Sequence, residues 1–390
     1  MLQPDQNERF RQRRQQARRR IARRRLTALA VLVIAFGAVT LGFRYLGETD
    51  NGAAQSSPKA QPVSKAPNVE PRTLPAEIRG VHVTTALLSL PGKLDEYLAM
   101  RNDGLTALEV DVKDENGEVG YRSATAPLAR KIGSARTYYR AREVADKVHQ
   151  AGLYLIGRVV VFEDPYLAAK RPDMAIQLRG GGIYTTPAGL GWANPYDKRV
   201  WDYDVDIAES AARAGFDEIM FDYVRFPSDG SVSSAVYPGK AHERKGETIA
   251  KFLAYAHERL KPLGVRISAA VFGLAATRDL GIGQRPKLMT PSLDAIYPMV
   301  YPSHFGKGEY NIPNPDDAPG TTVTMALRDF RRQLTGSQTR LVPWLQDFSL
   351  GRLYKLGDVE SQIDAARKLR STGYLLWNAN GVYTENALGY

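Results

Sequence analysis

The chain has 390 residues, of which 43% are hydrophobic and 24% charged, and it contains no cysteine. That length fits one barrel-sized domain plus an appendage, and the lack of thiols excludes disulfides, thiolate metal sites and a cysteine nucleophile. The net charge of +11 is uneven. Residues 1–25 hold ten Arg against Asp5 and Glu8 (+8), which leaves 43 basic and 40 acidic residues (+3) in 26–390, too balanced for the basic patch of a nucleic-acid-binding domain.

The first predicted element is Leu26–Phe43, LTALAVLVIAFGAVTLGF, an uncharged apolar run. Its length matches the hydrocarbon thickness of a bilayer, and the arginines before it stay on the cytoplasmic side. The reading is a basic cytoplasmic tail (1–25), a single-pass transmembrane anchor (26–43) and an exported remainder, either periplasmic or extracellular. A cleaved signal peptide is the rival, but the basic segment is long for one and no good cleavage site follows. Residues 44–73, rich in Gly, Ala, Ser, Pro and Lys, cannot bury a core and read as a disordered linker. The folded domain is expected over 74–390.

From Ile78 onward, strand-like runs alternate with amphipathic helical stretches. The runs are 78–86, 107–112, 153–162, 216–226, 265–272, 293–301, 340–348 and 373–381. Gly152, Gly215, Gly264 and Gly373 stand just before strands, where helices end in left-handed caps. Eight such repeats predict an α/β fold, a (β/α)₈ TIM barrel, rather than an open sheet, and no glycine-rich phosphate loop follows the first strand. The loops after strands then form the functional face, and the long segment 164–198 is a candidate cleft wall.

Alternation along the strands selects the inward-facing residues. On strand 2, Leu108, Val110 and Val112 suit the helix side, so Glu109, Asp111 and Lys113 should point inward. On strand 4, within GFDEIMFDYVRFP, Asp222 should face the interior near the C-terminal end, followed by Tyr223 and Arg225. Arg225 is expected to pair with Asp222 or to contact substrate. Glu163 and Asp347 are the other carboxylates expected at this face. Glycoside hydrolysis needs two carboxyl groups, so Asp222 with Asp111, Glu163 or Asp347 is the candidate catalytic set. Aromatic, amide and cationic groups that could hold a sugar are His82, Lys113, Trp192, Tyr223, Arg225, Tyr301, His304, Trp344, Trp377 and Asn378. No zinc, calcium or serine-nucleophile motif is present, so neither a metal nor a cofactor is expected.

IRGVHVT together with WANPYDKRVWDYDVDIAESAARAGFDEIMFDYVRFPSDG resembles a bacterial glycoside hydrolase family distantly related to the alpha-amylase superfamily, over about residues 76–385. The resemblance implies a (β/α)₈ barrel acting on envelope or extracellular polysaccharide, with Asp222 placed like the alpha-amylase nucleophile. That superfamily also has a Glu at the end of strand 5, where this chain reads VFGLAATRD. The expected function is therefore a membrane-anchored glycoside hydrolase. The alternatives are a catalytically inactive carbohydrate-binding barrel and an envelope scaffold.

Overall fold

The structure is a computed structural model that describes residues 70–240 and 243–390. The tail, the anchor run and all of the linker except 70–73 lie outside the described residues. Among the described residues, no helix is long and apolar enough to cross a membrane.

Eight parallel strand positions close into a barrel: β1 (Ile78–Val83), β2 (Ala107–Lys113), β3 (Tyr154–Val160), β4 (Glu218–Asp222), β5 (Arg266–Phe272), β6 (Ala295–Met299), β7 in two pieces (Arg340–Leu341 and Trp344–Gln346), and β8 (Gly373–Trp377). All eight coincide with the runs read from the sequence. β8 pairs with β1, and β7 pairs with both β6 and β8, which closes the ring. β7 breaks at Pro343, which has no N–H to give the ladder. Its carbonyl still accepts from Leu375 N at 2.9 Å, so the ring survives the break.

Helices cover the outside. The longer ones are α1 (Lys93–Ala99), α2 (Ala141–Gln150), α3 (Lys198–Ala214), α4 (Lys245–Leu260), α5 (Pro319–Gln333) and α6 (Leu356–Lys368). α3 illustrates how local sequence sets these elements. The Asp197 side chain caps its first turn by accepting from Arg199 N, Gly215 ends it at φ 104°, and Val200, Trp201, Val205, Ala208 and Ala211 form its buried face. Gly152 and Gly264 also take positive φ at the ends of helical segments, as expected. Gly373 does not cap a helix. It opens β8, and a Cβ there would lie 2.1 Å from the Ile78 carbonyl oxygen, so glycine is needed for β1 to pair.

The two faces of the strands build two distinct cores. Leu108, Val110, Val112, Leu155, Val159, Ile219 and Phe221 pack outward against the helices. Inside, Ile78, Ala107, Tyr154, Ile156, Met220, Ala270 and Leu375 fill the lower barrel. The upper interior is polar, and the functional candidates gather there.

Candidate active site

Four neighbouring strands send ionisable side chains into the top of the barrel. His82 comes from β1, Glu109 and Asp111 from β2, Arg158 from β3 and Asp222 from β4, all buried. Register places His82 beside Glu109 and Asp111 beside Arg158. Arg158 is the hub. Its Nη1 donates to Asp111 Oδ1 at 2.6 Å, and its Nε and Nη2 both lie 2.8 Å from Asp222 Oδ2. Glu115, from the loop after β2, lies 3.8 Å from the same guanidinium and is the most exposed carboxylate of the group. The Glu109 carboxylate pairs with His82 Nδ1, while His82 Nε2 lies 3.8 Å from Asp111.

This cluster has more carboxylates than cations. Burial drives the Glu109 carboxyl well above its usual range, with Arg158 opposing and Asp222 adding to the rise. Burial likewise lifts Asp111 to about 7, against the pull of Arg158 and His82. The Tyr301 hydroxyl is raised well above its ordinary value by burial and by Asp222, so it remains a donor. Desolvation disfavours the charged form of each group.

One aromatic wall adjoins the ions. The Trp377 ring lies 4.2 Å from the His82 ring and perpendicular to Trp344, with Arg158 5.7 Å above it. Tyr301, His304 and Phe348 pack together nearby, and burial lowers His304 to about 4. Trp377 is half-buried, which leaves part of its face available, whereas Trp344 is enclosed among the interior side chains. Backbone strain is present at the centre of the site. Tyr223, directly after Asp222, sits at φ 52°, and its N–H donates to Asp222 Oδ1 at 2.7 Å.

Several sequence expectations need correction. Lys113 does not face the interior. The β2 register shifts between Asp111 and Lys113, which turns the ammonium outward to Asp204 of α3 at 2.6 Å and Asp164 at 2.7 Å, fully buried. Arg225 does not pair with Asp222. It donates to the Phe226 carbonyl, and its guanidinium is wrapped by Trp192, Tyr223 and Phe272. Trp192 is fully enclosed beneath that arginine and offers no face to a sugar. Asp347 accepts from both the N–H and the hydroxyl of Thr384, so it ties down the C-terminal segment. Asn378 is spent in the turn after β8, donating to the Asp347 carbonyl and accepting from Asn380 N. Glu163 is buried just past β3 and shares with Arg225 the electrostatic surroundings of Tyr184.

Sequence reasoning missed Arg158 and Glu115 altogether, and it placed Glu109 inside without giving it a role. The signal for Arg158 was a single arginine in the otherwise apolar run LYLIGRVVVF. Among the described residues, His82, Glu109 and Asp111 offer ligand atoms within 4.8 Å of one another, the one set that could hold a metal ion. The donors fit one poorly, because Glu109 already faces His82 Nδ1 and Asp111 faces a guanidinium that would repel a cation.

A family model described as "Putative glycosyl hydrolase domain" matches residues 80–383. The chain belongs to this glycosyl hydrolase family. No curated protein matches the sequence. Among solved structures, a hypothetical protein from Ruminiclostridium thermocellum is 38% identical, with 48% of this chain and 96% of that one covered and a TM-score of 0.44. The PgaB (BpsB) glycoside hydrolase domain from Bordetella bronchiseptica is 13% identical over 78% of this chain and 95% of that one, at a TM-score of 0.56. An alpha-L-fucosidase from Paenibacillus thiaminolyticus is 12% identical over 80% of this chain and 48% of that one, at 0.51. At such identities the last two resemblances establish the barrel fold. In this glycosyl hydrolase family member, Asp111, Arg158 and Asp222 stand at the C-terminal strand ends, the face where barrel enzymes place catalytic groups.

Proposed function

We propose that the protein is a membrane-tethered glycoside hydrolase acting on an extracytoplasmic polysaccharide, with Asp222 as nucleophile or base and Asp111 as the general acid. The observation that carries this reading is the bridging of Asp111 and Asp222 by the single guanidinium of Arg158. One guanidinium between two carboxyl groups suits the ~5–10 Å separations glycosidases use. Asp111, raised to about 7, keeps its proton near neutrality and can pass it to the leaving oxygen. Asp222, oriented by Arg158 and by Tyr223 N–H, attacks the anomeric carbon or draws a proton from water. Trp377 packs an apolar sugar face, and the Tyr301 hydroxyl donates to the substrate.

The anchor rests on Leu26–Phe43 and the ten arginines before it. One observation favours the rival, a carbohydrate-binding barrel without catalysis. Arg158 already engages both carboxylates, and β5 ends in Phe272–Gly273 with no Glu where the alpha-amylase pattern has its acid. The test uses the full chain in detergent micelles, with envelope, capsule and storage polysaccharides, and measures new reducing ends. Release that Asp222→Asn abolishes supports hydrolysis. Retained glycan binding by both proteins without release supports the binding barrel. Protease accessibility of a C-terminal tag in intact cells and spheroplasts tests the topology, and a tag cut only after cell lysis overturns the exported reading.

A further inference from the structure

A cavity of about 930 Å³ lies away from the carboxylate cluster, and it is lined by Arg122, Arg130, Lys131, Arg136, Tyr138 and Tyr166 among others. Its residues come from the loop after β2 and from the turn after β3, the segments that follow two of the strands carrying the candidate active site. The concentration of cations there stands out in a domain whose overall charge is nearly balanced.

Most of these cations have no carboxylate partner among the described residues. Among the described residues, only Arg136 of the four has an acidic partner, Glu118, reached by Nη2 at 2.7 Å and Nε at 3.2 Å. Arg122, Arg130 and Lys131 are exposed, and among the described residues no carboxylate lies within ion-pair range of them. Arg130 and Lys131 end the short helix Pro127–Ile132, where cations complement the last carbonyls. That accounts for these two, but not for Arg122 and Arg136 converging on the same hollow from the flanking loop. Both tyrosines are held in place. Tyr138 donates to Glu118, Tyr166 donates to the Gly133 carbonyl at 3.0 Å, and the Arg136 guanidinium stacks 5.1 Å over the Tyr166 ring.

Fixed aromatic rings beside unpaired guanidinium and ammonium groups match a sugar that carries an anion. The ring packs the apolar face, and the cations take the charge. The loop is also anchored to the candidate active site. Tyr139 donates to the Asp111 carbonyl at 2.9 Å, and Gly120 lies against the Tyr139 ring so closely that a Cβ would approach it to 2.3 Å.

We propose that this groove is a subsite for an anionic unit of the polysaccharide, so that the substrate class is an acidic glycan bearing carboxylate or phosphate groups. This rests on the glycoside hydrolase reading for its link to cleavage, but binding alone tests it. The full chain in detergent micelles would be titrated with polygalacturonate and alginate (carboxylate), polyglycerol phosphate (phosphate) and amylose (neutral). The same titrations would be run on Arg130→Ala/Lys131→Ala and Arg122→Ala. Expected is binding of at least one anionic polymer, weakened by rising salt and about three- to tenfold by each variant, with amylose bound less well. Which polymer binds distinguishes carboxylate from phosphate. Equal affinity for amylose, or unchanged affinity in both variants, overturns the proposal. So does binding of phosphatidylglycerol vesicles, but none of the polymers, that the variants abolish. Anionic binding without new reducing ends would leave this subsite standing and remove the hydrolase reading. Cleavage of amylose with no effect of the variants would do the reverse.

Discussion

The barrel interior holds two buried ionic clusters, one at each pole, and they are built on opposite principles. At the N-terminal pole a single carboxylate, Glu218, meets a single guanidinium, Arg340, at 3.0 Å, and also accepts from the Tyr297 and Tyr154 hydroxyls at 2.8 and 3.1 Å. Charge balances and the acceptors are used. At the C-terminal pole Arg158 faces Asp111, Asp222 and Glu115, with Glu109 behind, so negative groups exceed positive ones and two carboxyls are forced toward their neutral forms. A network whose charges balance and whose carboxylate oxygens are used stabilises a fold. An unbalanced one is tolerated where protons must move.

The sharpest test of this contrast is Asp222→Asn. The amide keeps the shape but loses the charge, so hydrolysis should fall by about 10³-fold, about 4 kcal/mol of barrier, while thermal stability changes little or rises. Reducing-end assays and a melting curve on the same preparation read both quantities. A large drop in melting temperature with activity per folded molecule retained would move Asp222 to the structural pole.

The mirror experiment is Arg340→Met. It leaves Glu218 buried with only two tyrosine hydroxyls, and stability should fall by about 3 kcal/mol in denaturant titration. Activity of the folded fraction should be unchanged, because nothing at this pole touches the reacting face. An activity loss exceeding the loss of folded protein would mean that the two clusters are coupled.

The pH dependence belongs to the upper cluster. With the Asp111 carboxyl raised to about 7, the acid is protonated below that pH and lost above it, so kcat/KM should decline about tenfold per unit on the alkaline side of 7. The stability linkage has the same sign. The folded state holds a proton that the unfolded chain has released, so stability declines as pH rises from about 4 through 7, and Asp111→Asn should flatten this slope. A rate that instead rises through pH 7 would assign Asp111 the base role.

The same contrast explains what could be read in advance. The eight strands are visible because each alternates or runs apolar between turn residues, and alternation correctly turns Glu109, Asp111 and Asp222 inward. It failed at Lys113 because the register shift after Asp111 reverses parity, and no residue type announces such a shift. Pairing with Asp222, one of the two roles expected of Arg225, rests on proximity in sequence, whereas the partner comes from the neighbouring strand: Arg158 and Asp222 are 64 residues apart. The pairing of Asp347 with Thr384 was equally out of reach, since it depends on how the last residues fold back. The strand pattern gives local facing. Which charges meet depends on strand order and stagger.

The smallest effect separates backbone from side chain at the site itself. Tyr223 holds φ 52° directly after Asp222, a conformation that costs a residue with a Cβ roughly 1 kcal/mol or more. Within a helix or strand, Ala is favoured over Gly by up to about 1 kcal/mol. At position 223 the order should reverse. Tyr223→Gly and Tyr223→Ala lose the same ring contact with Trp192, but the glycine variant should be the more stable of the two by about 1 kcal/mol in chemical denaturation. Its activity should nonetheless be the lower, because a freer backbone loosens the N–H that orients Asp222. If the alanine variant is instead as stable as the glycine one, the strand end is not held in the left-handed region, and the contrast between a strained upper pole and a relaxed lower one loses its backbone component.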